Sequence, residues 1–259
     1  MHCRKCGGDT AFPGSDAVMD RKENFLELLK INVEETPAIA VVGGGGKTSL
    51  IFRLSRELTA KKKKVVITTT THMAYDPDQP FIEEKELDKL PQMLERYGYV
   101  TAAAHREGEE KVSALPKEKM RDLLAVCDVL LIEADGSRQL PLKVPERWEP
   151  VIPSFADLVI SVVGLDCLGK PIRETAHRME RTADFLKKSM DAPVTPEDVI
   201  KIASSICGLF KDVEDRVYRV YLNKSDTLPE KEAAEKILQG LKEKNTIAAY
   251  GSLKERGQE

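Results

Sequence analysis

Residues 38–49 read AIAVVGGGGKTS, which is a short apolar run, four successive glycines, a lysine and two hydroxyl residues. The apolar run predicts a strand buried on both faces, because polar and apolar residues do not alternate in it. A helix is predicted from Thr48 to Ala60, because leucine and isoleucine recur there at helical spacing. The segment therefore predicts a buried strand, a glycine turn and a helix in immediate succession.

A glycine turn between a strand and a helix is the setting of a phosphate-binding loop. Glycines let backbone N–H groups approach an anion, and the N-terminus of the helix adds a positive partial charge. The usual G-x-x-x-x-G-K-[ST] pattern needs a glycine where this chain has Val41, so the loop is a shortened one. The alternative is an ordinary glycine turn with a solvated lysine. The predicted nucleotide-binding residues are Gly43, Gly44, Gly45, Gly46, Lys47, Thr48 and Ser49.

Apolar strands alternate with amphipathic helices through most of the chain. This alternation predicts an α/β fold of the P-loop NTPase type, with a doubly wound, mainly parallel sheet and helices on both faces. Residues 1–20 are predicted to be a flexible extension, and residues 21–259 a single P-loop nucleotide-binding domain. We also predict a helix over residues 81–97 and a small inserted hairpin near residues 97–117, with Tyr99–Ala104 as one of its strands.

Polar segments follow several predicted strands, and the carboxyl ends of parallel strands open into one crevice. Lys47 is predicted to act in catalysis on the terminal phosphates, and Thr48 to bind Mg²⁺. Glu133 and Asp135 follow VLLI, where P-loop proteins place the carboxylate that holds Mg²⁺, so we predict both as catalytic and metal-binding residues. Arg138 follows them and is predicted to stabilise phosphate charge during catalysis.

Two readings compete with the assignment of Glu133 and Asp135. The segment could be an ordinary acidic turn around a glycine. Asp166 is a rival metal carboxylate, because it lies in a D-x-x-G segment directly after the strand LVISVV.

Two other segments carry side chains that suit nucleotide chemistry. Thr70 and Thr71 end the run TTTTH and are predicted to contact phosphate or the water bound to Mg²⁺, although threonine also simply favours strands. His72 follows them and is predicted to act as an acid or base near neutral pH. His177 and Arg178 precede a helix and could face an anionic substrate or form a surface pair.

The segment Asn223–Asp226, NKSD, follows the strand VYRVYL and matches the N-K-x-D pattern that selects guanine. The aspartate accepts hydrogen bonds from two donors on the guanine edge, and adenine offers no such pair. Asn223, Lys224 and Asp226 are therefore predicted to bind the nucleotide base. A polar turn of ordinary composition is the alternative.

Charge and hydropathy exclude other classes of protein. Lysine and arginine number 40 against 43 aspartate and glutamate residues, so there is no basic excess for a nucleic-acid polymer. No apolar run approaches the roughly 20 residues of a membrane span, and we expect a cytoplasmic protein without a membrane partner. Cys3 and Cys6 form a lone C-x-x-C whose metal binding is left open, because structural zinc requires four ligands.

Taken together, AVVGGGGKTSL, VVITTTTHM, the segment from LIEADGSRQ to WEPVIP, VVGLDCLGKPI, HR and LNKSD resemble the YqeC-like family of bacterial accessory proteins for selenium-dependent molybdenum hydroxylases. The resemblance covers residues 21–250. It implies a P-loop fold and a part in maturing such an enzyme, with the hydroxylase client or its cofactor as partner. It also implies that Lys143 and Pro145 belong to the site, and it implies no zinc role for Cys3 and Cys6.

Three functions follow from these observations. The first is a Mg²⁺-dependent, NTP-hydrolysing accessory factor that uses GTP or ATP. The second is a small-molecule kinase or ATP-dependent ligase, because the shortened loop resembles those of Mur-type ligases and lipid A 4′-kinases. The third is a non-catalytic, nucleotide-gated chaperone or cofactor carrier. The choice between GTP and ATP and the oligomeric state are left open.

Overall fold

The computed structural model describes residues 24–105 and 108–254. The predicted extension over residues 1–20, including Cys3 and Cys6, lies outside the described residues. In the described part of the chain the strands are β1 (Ala38–Gly43), β2 (Val65–Thr69), β3 (His72–Ala74), β4 (Phe81–Glu83), β5 (Tyr99–Ala103), β6 (Lys111–Ser113), β7 (Val129–Glu133), β8 (Leu142–Lys143), β9 (Leu158–Gly164), β10 (Ala176–His177), β11 (Val217–Asn223) and β12 (Ile247–Tyr250).

The α-helices lie between these strands, together with short 3₁₀ turns. In chain order they are α1 (Phe25–Leu28), α2 (Lys47–Ala60), α3 (Leu90–Tyr97), α4 (Lys117–Asp122), α5 (Ile172–Thr175), α6 (Met179–Leu186), α7 (Pro196–Ser204) and α8 (Glu232–Lys242). Thr195 caps α7, because its hydroxyl accepts from the backbone N–H of Asp198. No helix among the described residues is long and apolar enough to cross a membrane.

The main sheet joins eight of the described strands in the order β12-β11-β9-β1-β7-β2-β5-β4. Every pairing in it is parallel. Strand β1 lies at its centre, with β7 on one side and β9 on the other. The next strand of the sheet along the chain, β2, lies two places from β1 on the β7 side, whereas β9 lies next to β1 on the other side. The strand order therefore reverses at β1. In open α/β sheets, ligands bind at the carboxyl ends of the strands at such a point.

Alternate residues of β1 face two different cores, as the pleat of a strand requires. Ile39 and Val41 pack in the core that includes α1 and α2. Ala40 and Val42 pack in the opposite core, which includes α6, α7 and α8. Helices α3 and α4 form a third cluster, with Leu130 and Ile132 of β7. The predicted α/β fold with a doubly wound parallel sheet and helices on both faces is confirmed.

The region from residue 81 to residue 113 differs from the prediction in two respects. Phe81–Glu83 is an edge strand paired with β5, and the helical part begins only after it. Tyr99–Ala103 is a strand of the main sheet between β2 and β4, whereas Lys111–Ser113 pairs with His72–Ala74. Of the predicted hairpin pairing, the described residues form one antiparallel β-bridge, between Ala104 and Ser113. The apolar residues of β5 are buried in the sheet, which a surface hairpin could not achieve.

Three cysteines occur in the described residues, all as free thiols. Their apolar sequence surroundings predict burial, and Cys167 is indeed buried. Burial raises the pKa of Cys127 and of Cys167 to about 12, so both thiols stay protonated at neutral pH. Cys207 departs from the expectation, because it lies exposed in the turn after α7.

Candidate functional site

The glycine loop connects β1 to α2 and packs against β9. Gly44 N–H donates to the carbonyl of Val162 at 2.9 Å. Gly43 has a φ of +94°, and a Cβ there would collide with the same carbonyl. Gly45 has a φ of +77°, and its Cβ would collide with the backbone of Gly164. Glycine is therefore required by both the backbone conformation and the close approach to β9.

Lys47 lies buried at the start of α2, with its side chain turned back over the loop. Its Nζ donates to the carbonyl of Gly43 at 3.0 Å and to Ser137 Oγ at 3.2 Å. The same ammonium group lies 3.2 Å from Asp135 Oδ1 and 3.8 Å from Glu133 Oε1. The loop lysine and the two carboxylates after β7 are thus brought together as the sequence predicts.

Thr48 and Glu133 form the second contact between the loop and β7. Thr48 Oγ1 donates to Glu133 Oε2 at 2.7 Å. Burial raises the pKa of the Glu133 carboxyl above its ordinary value, and the charge of Lys47 and the hydrogen bond from Thr48 oppose that shift. A hydroxyl and a carboxylate oxygen in contact form a hard-oxygen donor pair of the kind that suits Mg²⁺.

The residues present fit a magnesium ion that is held partly by a nucleotide. The described residues contain no group of three or more His, Cys, Asp or Glu side chains that could hold a metal. Mg²⁺ usually takes one or two carboxylates and completes its shell with waters and substrate phosphates, so a full protein cage is not expected. Thr48 and Glu133 are the two residues whose oxygens are already adjacent.

Both carboxylate oxygens of Asp135 lie close to a cation, Oδ1 to Lys47 and Oδ2 to Lys143. Its Oδ2 accepts from the backbone N–H of Gly43 at 3.0 Å, which holds the first glycine of the loop. The same oxygen lies 3.2 Å from the ammonium group of Lys143. Asp135 is therefore arranged to fix the loop and Lys47, whereas Glu133 is the carboxylate in contact with Thr48.

Lys143 continues this group of charges away from the loop. Its side chain is 0% exposed, and its Nζ lies 3.0 Å from Glu149 Oε2 and donates to the carbonyl of Gly136 at 2.6 Å. Glu149 in turn accepts from Arg178 Nη2 at 3.1 Å. Burial alone would raise the pKa of Glu149, but hydrogen bonds from Arg178 and the charge of Lys143 bring it below its ordinary value. Pro145, which the resemblance also implies, accepts a hydrogen bond from Arg181 through its carbonyl.

Replacing Glu149 with glutamine tests the ion pairs that lower its pKa. Because the folded-state pKa lies below the unfolded value, the carboxylate stabilises the fold above the ordinary pKa, and this contribution is lost as pH falls through the lowered pKa. At pH 7 we expect Glu149→Gln to lower the free energy of unfolding by about 1–3 kcal/mol. Urea unfolding of both proteins from pH 7 to pH 3 should show the difference shrinking at acid pH. Glu180→Gln, at an exposed site, is the control, and a difference that stays constant with pH contradicts the assignment.

Asn223 joins the end of β11 to the glycine loop. Its Nδ2 donates to the carbonyl of Gly45 at 2.7 Å, and its Oδ1 accepts from the backbone N–H of Leu253 at 3.1 Å. Lys224 Nζ lies 2.7 Å from Asp166 Oδ2, while Asp226 is exposed in the following turn. Asp166 is thus occupied by Lys224 and does not take the place beside Thr48, which Glu133 holds.

Sequence reasoning missed the segment after β12 as part of the site. Gly251 accepts from the backbone N–H of Ser225 at 3.0 Å, and Leu253 N–H reaches Asn223. The only available signal was topological, because β12 pairs with β11 and their carboxyl ends must lie side by side.

In the described part of the chain, the one hydrogen bond that links the remaining predicted residues to the cluster at Lys47 runs from the backbone N–H of Thr70 to the carbonyl of Glu133. Thr70 is bound through its hydroxyl to the carbonyl of Val151. Thr71 N–H donates to Thr69 Oγ1, and His72 is exposed at the start of β3. Arg138 is exposed, with a φ of +49°, and Ser49 is exposed on the first turn of α2.

The family model described as YqeC protein matches residues 39–180. The chain belongs to the YqeC family. It is 33% identical over 231 residues to YqeC of Escherichia coli (strain K12), and the match covers 86% of this chain and 90% of that protein. The predicted membership is confirmed.

Two solved structures are also similar to this YqeC family member. Hydrogenase maturation factor HypB from Archaeoglobus fulgidus has a TM-score of 0.38 and 17% identity, over 85% of this chain and 82% of that one. The signal recognition particle receptor FtsY from Elizabethkingia anophelis has a TM-score of 0.39 and 14% identity, over 85% of this chain and 58% of that one.

The range matched by the YqeC family model contains the glycine loop, Glu133 and the charged residues as far as Arg178. The segment Asn223–Asp226, which the sequence predicts to bind the nucleotide base, lies outside that range.

Proposed function

We propose that this protein is a nucleotide-binding, Mg²⁺-dependent NTPase that assists the maturation of a selenium-dependent molybdenum hydroxylase. The observation that carries the nucleotide part is the contact of Thr48 Oγ1 with Glu133 Oε2 beside the ammonium group of Lys47. A hydroxyl, a carboxylate and a lysine that meet at a glycine loop are the side chains that hold Mg²⁺ and terminal phosphates. The maturation part rests on the family resemblance.

Each residue of the cluster has a distinct part in the proposed reaction. Lys47 leaves its contacts with Gly43 and Ser137 to bind phosphate oxygens. Thr48 and Glu133 would hold Mg²⁺, which would neutralise phosphate charge. Asp135 keeps the loop in shape by accepting from Gly43 N–H and would help to orient water at the metal site. Arg138 lies outside this cluster, exposed in the segment after β7, and is proposed from its place in the sequence to supply a cation to the phosphates.

Purified full-length protein tests this proposal directly. Release of inorganic phosphate from GTP and from ATP is measured with Mg²⁺ and with an excess of chelator, in the presence and absence of a molybdenum hydroxylase client. We expect turnover that requires Mg²⁺ and responds to the client. Tight nucleotide binding without turnover would instead support the nucleotide-gated chaperone or cofactor carrier, and the absence of binding would overturn every nucleotide function.

Asp226 is proposed to select guanine, since it is exposed in the turn directly after Asn223, which binds the glycine loop. We expect GTP to bind more tightly than ATP. Asp226→Asn should weaken GTP binding by about 10- to 100-fold, because it removes the carboxylate that accepts from two donors on the guanine edge. ATP binding should be unchanged. Isothermal titration calorimetry measures both affinities, with Glu230→Gln at a nearby exposed site as the control. Equal affinities for GTP and ATP that are unaffected by the substitution contradict guanine selection.

His177 favours a second candidate, a small-molecule phosphotransferase. It pairs with Lys143 in the short β8–β10 ladder, and its Nδ1 is buried without a hydrogen-bond partner among the described residues. Burial and the positive charges of Lys143 and Arg178 lower the pKa of His177, so its ring is neutral at neutral pH and can accept a proton from an acceptor hydroxyl. Mass spectrometric detection of a phosphorylated small molecule in place of inorganic phosphate would favour this candidate.

A further inference from the structure

The charged side chains at the glycine loop form one continuous series that leads to the protein surface. It runs from Lys47 through Asp135, Lys143 and Glu149 to Arg178. In each neighbouring pair a side-chain nitrogen of the cation lies 3.0–3.2 Å from a carboxylate oxygen. We call these five residues the charge chain. Its inner members are buried, and Lys143 at its centre is 0% exposed. The proposed NTPase reaction uses Lys47 and Asp135 and gives no part to Lys143, Glu149 or Arg178.

The outer end of the charge chain lies against the single tryptophan of the sequence. The guanidinium of Arg178 lies over the ring of Trp148 at 5.8 Å, and Trp148 is 68% exposed. Arg178 also lines an open cavity of about 570 Å³, together with Val144, Glu146, Arg181, Phe185 and Cys207. A displacement of Arg178 would therefore change both the environment of Trp148 and the wall of this cavity.

Charge balance connects the two ends of the chain. Lys47, Lys143 and Arg178 face Glu133, Asp135 and Glu149, and Glu146 is shared by Arg178 and Arg181, so four cations meet four carboxylates in this part of the described structure. A bound nucleotide would draw the ammonium group of Lys47 towards its phosphates and away from Asp135. Because buried charges are costly without a partner, Asp135 would then attract Lys143 more strongly. Glu149 would lose part of its contact with Lys143 and depend more on Arg178.

We propose that Lys143 is a positioning residue that transmits occupancy of the glycine loop to Arg178 and the surface around Trp148. The inference rests on the proposed nucleotide binding at Lys47. By this inference, the surface around Trp148 and the adjoining cavity differ in conformation between the nucleotide-free and the nucleotide-bound form. Energetic coupling of this kind requires two sites and an element that both sites bias, and the charge chain provides that element.

The emission of Trp148 measures the outer end of the chain directly. In the full-length protein, Mg²⁺–GTP or Mg²⁺–ATP should shift the emission spectrum saturably, with a midpoint equal to the Kd from calorimetry. At saturating nucleotide, Lys143→Met should lose most of this shift while calorimetry still shows binding. Arg147→Met, adjacent to Trp148 and outside the charge chain, should keep it. A full shift in Lys143→Met, or none in the wild type with nucleotide bound, overturns the inference.

Two further variants keep the test independent of the folding of Lys143→Met and of nucleotide binding itself. Glu149→Gln keeps the shape of the side chain, and it should also reduce the nucleotide-induced shift; an unchanged shift overturns the inference. Lys47→Met, measured without nucleotide, should reproduce the shifted emission of the wild type, because it also removes the cation from Asp135. Wild-type emission in Lys47→Met overturns the charge chain as a connection. Calorimetry that finds no nucleotide binding in the wild type overturns the proposed function instead.

Discussion

Replacing Lys47 with methionine should weaken nucleotide binding by about 30-fold to several thousand-fold. The estimate follows from the 2–5 kcal/mol that is typically lost when one member of a buried charged contact is truncated. Lys47 is buried within 3.2 Å of Asp135 and 3.0 Å of the Gly43 carbonyl, so its ammonium group is fixed at the loop where phosphates would bind. Methionine keeps an unbranched side chain one atom shorter and removes the ammonium group, with its charge and its hydrogen-bond donors. Calorimetric titration with Mg²⁺–GTP and Mg²⁺–ATP measures the loss.

The control for this variant is Lys61→Met, at the exposed C-terminal end of the same helix. It should leave the nucleotide Kd unchanged, because a solvated lysine at that distance contributes little to the loop. Thermal unfolding must accompany both measurements, because Lys47→Met also leaves Glu133 and Asp135 without their nearest cation. A folded Lys47→Met protein that binds nucleotide as tightly as the wild type would show that the glycine loop does not hold phosphate.

The strand, glycine loop and helix at residues 38–60 could be predicted because their signals are local. An unbroken apolar run, four glycines and a helical period all lie within one short segment. The edge strand Phe81–Glu83 could not, because three residues carry too little periodicity and the acidic helical segment that follows dominates the pattern. Its strand conformation depends on pairing with Tyr99–Ala103, about twenty residues further along the chain.

The approach of Glu133 and Asp135 to the glycine loop could be predicted from the sequence, whereas the ion-pair partners of Lys143 could not. Glu133 and Asp135 follow a buried strand, and parallel strands bring such positions together, so their approach to Lys47 could be foreseen. Arg138 and Lys143 lie five positions apart, yet one is exposed and the other fully buried. Leu142 and Val144 on either side of Lys143 indicate a buried segment, but they do not reveal the partners of its ammonium group. Those partners include Glu149, which reaches Lys143 only after the chain has folded back.

Replacing Glu133 with glutamine should lower Mg²⁺-dependent hydrolysis by at least about 100-fold, with a smaller effect on nucleotide affinity. Loss of groups that only support a metal ligand already costs 10- to 100-fold, and Glu133 is proposed as a ligand itself. Glutamine preserves the acceptor for Thr48 Oγ1, now 2.7 Å from the carboxylate, but removes the negative charge that attracts the cation. Both Glu133→Gln and Thr48→Ala should raise the Mg²⁺ concentration that gives half-maximal activity.

The decisive measurement is a Mg²⁺ titration of hydrolysis at saturating nucleotide, which separates metal binding from nucleotide binding. Asp166→Asn is the matched control, because Asp166 follows the neighbouring strand β9 and bonds Lys224 rather than Thr48. It should leave the Mg²⁺ midpoint unchanged even if the nucleotide Kd changes through Lys224. If Asp166→Asn shifts that midpoint and Glu133→Gln does not, the metal carboxylate is Asp166, and the contact of Thr48 with Glu133 is structural. The expected order follows from the geometry, since a metal held by the loop hydroxyl must lie within reach of the carboxylate that this hydroxyl already contacts.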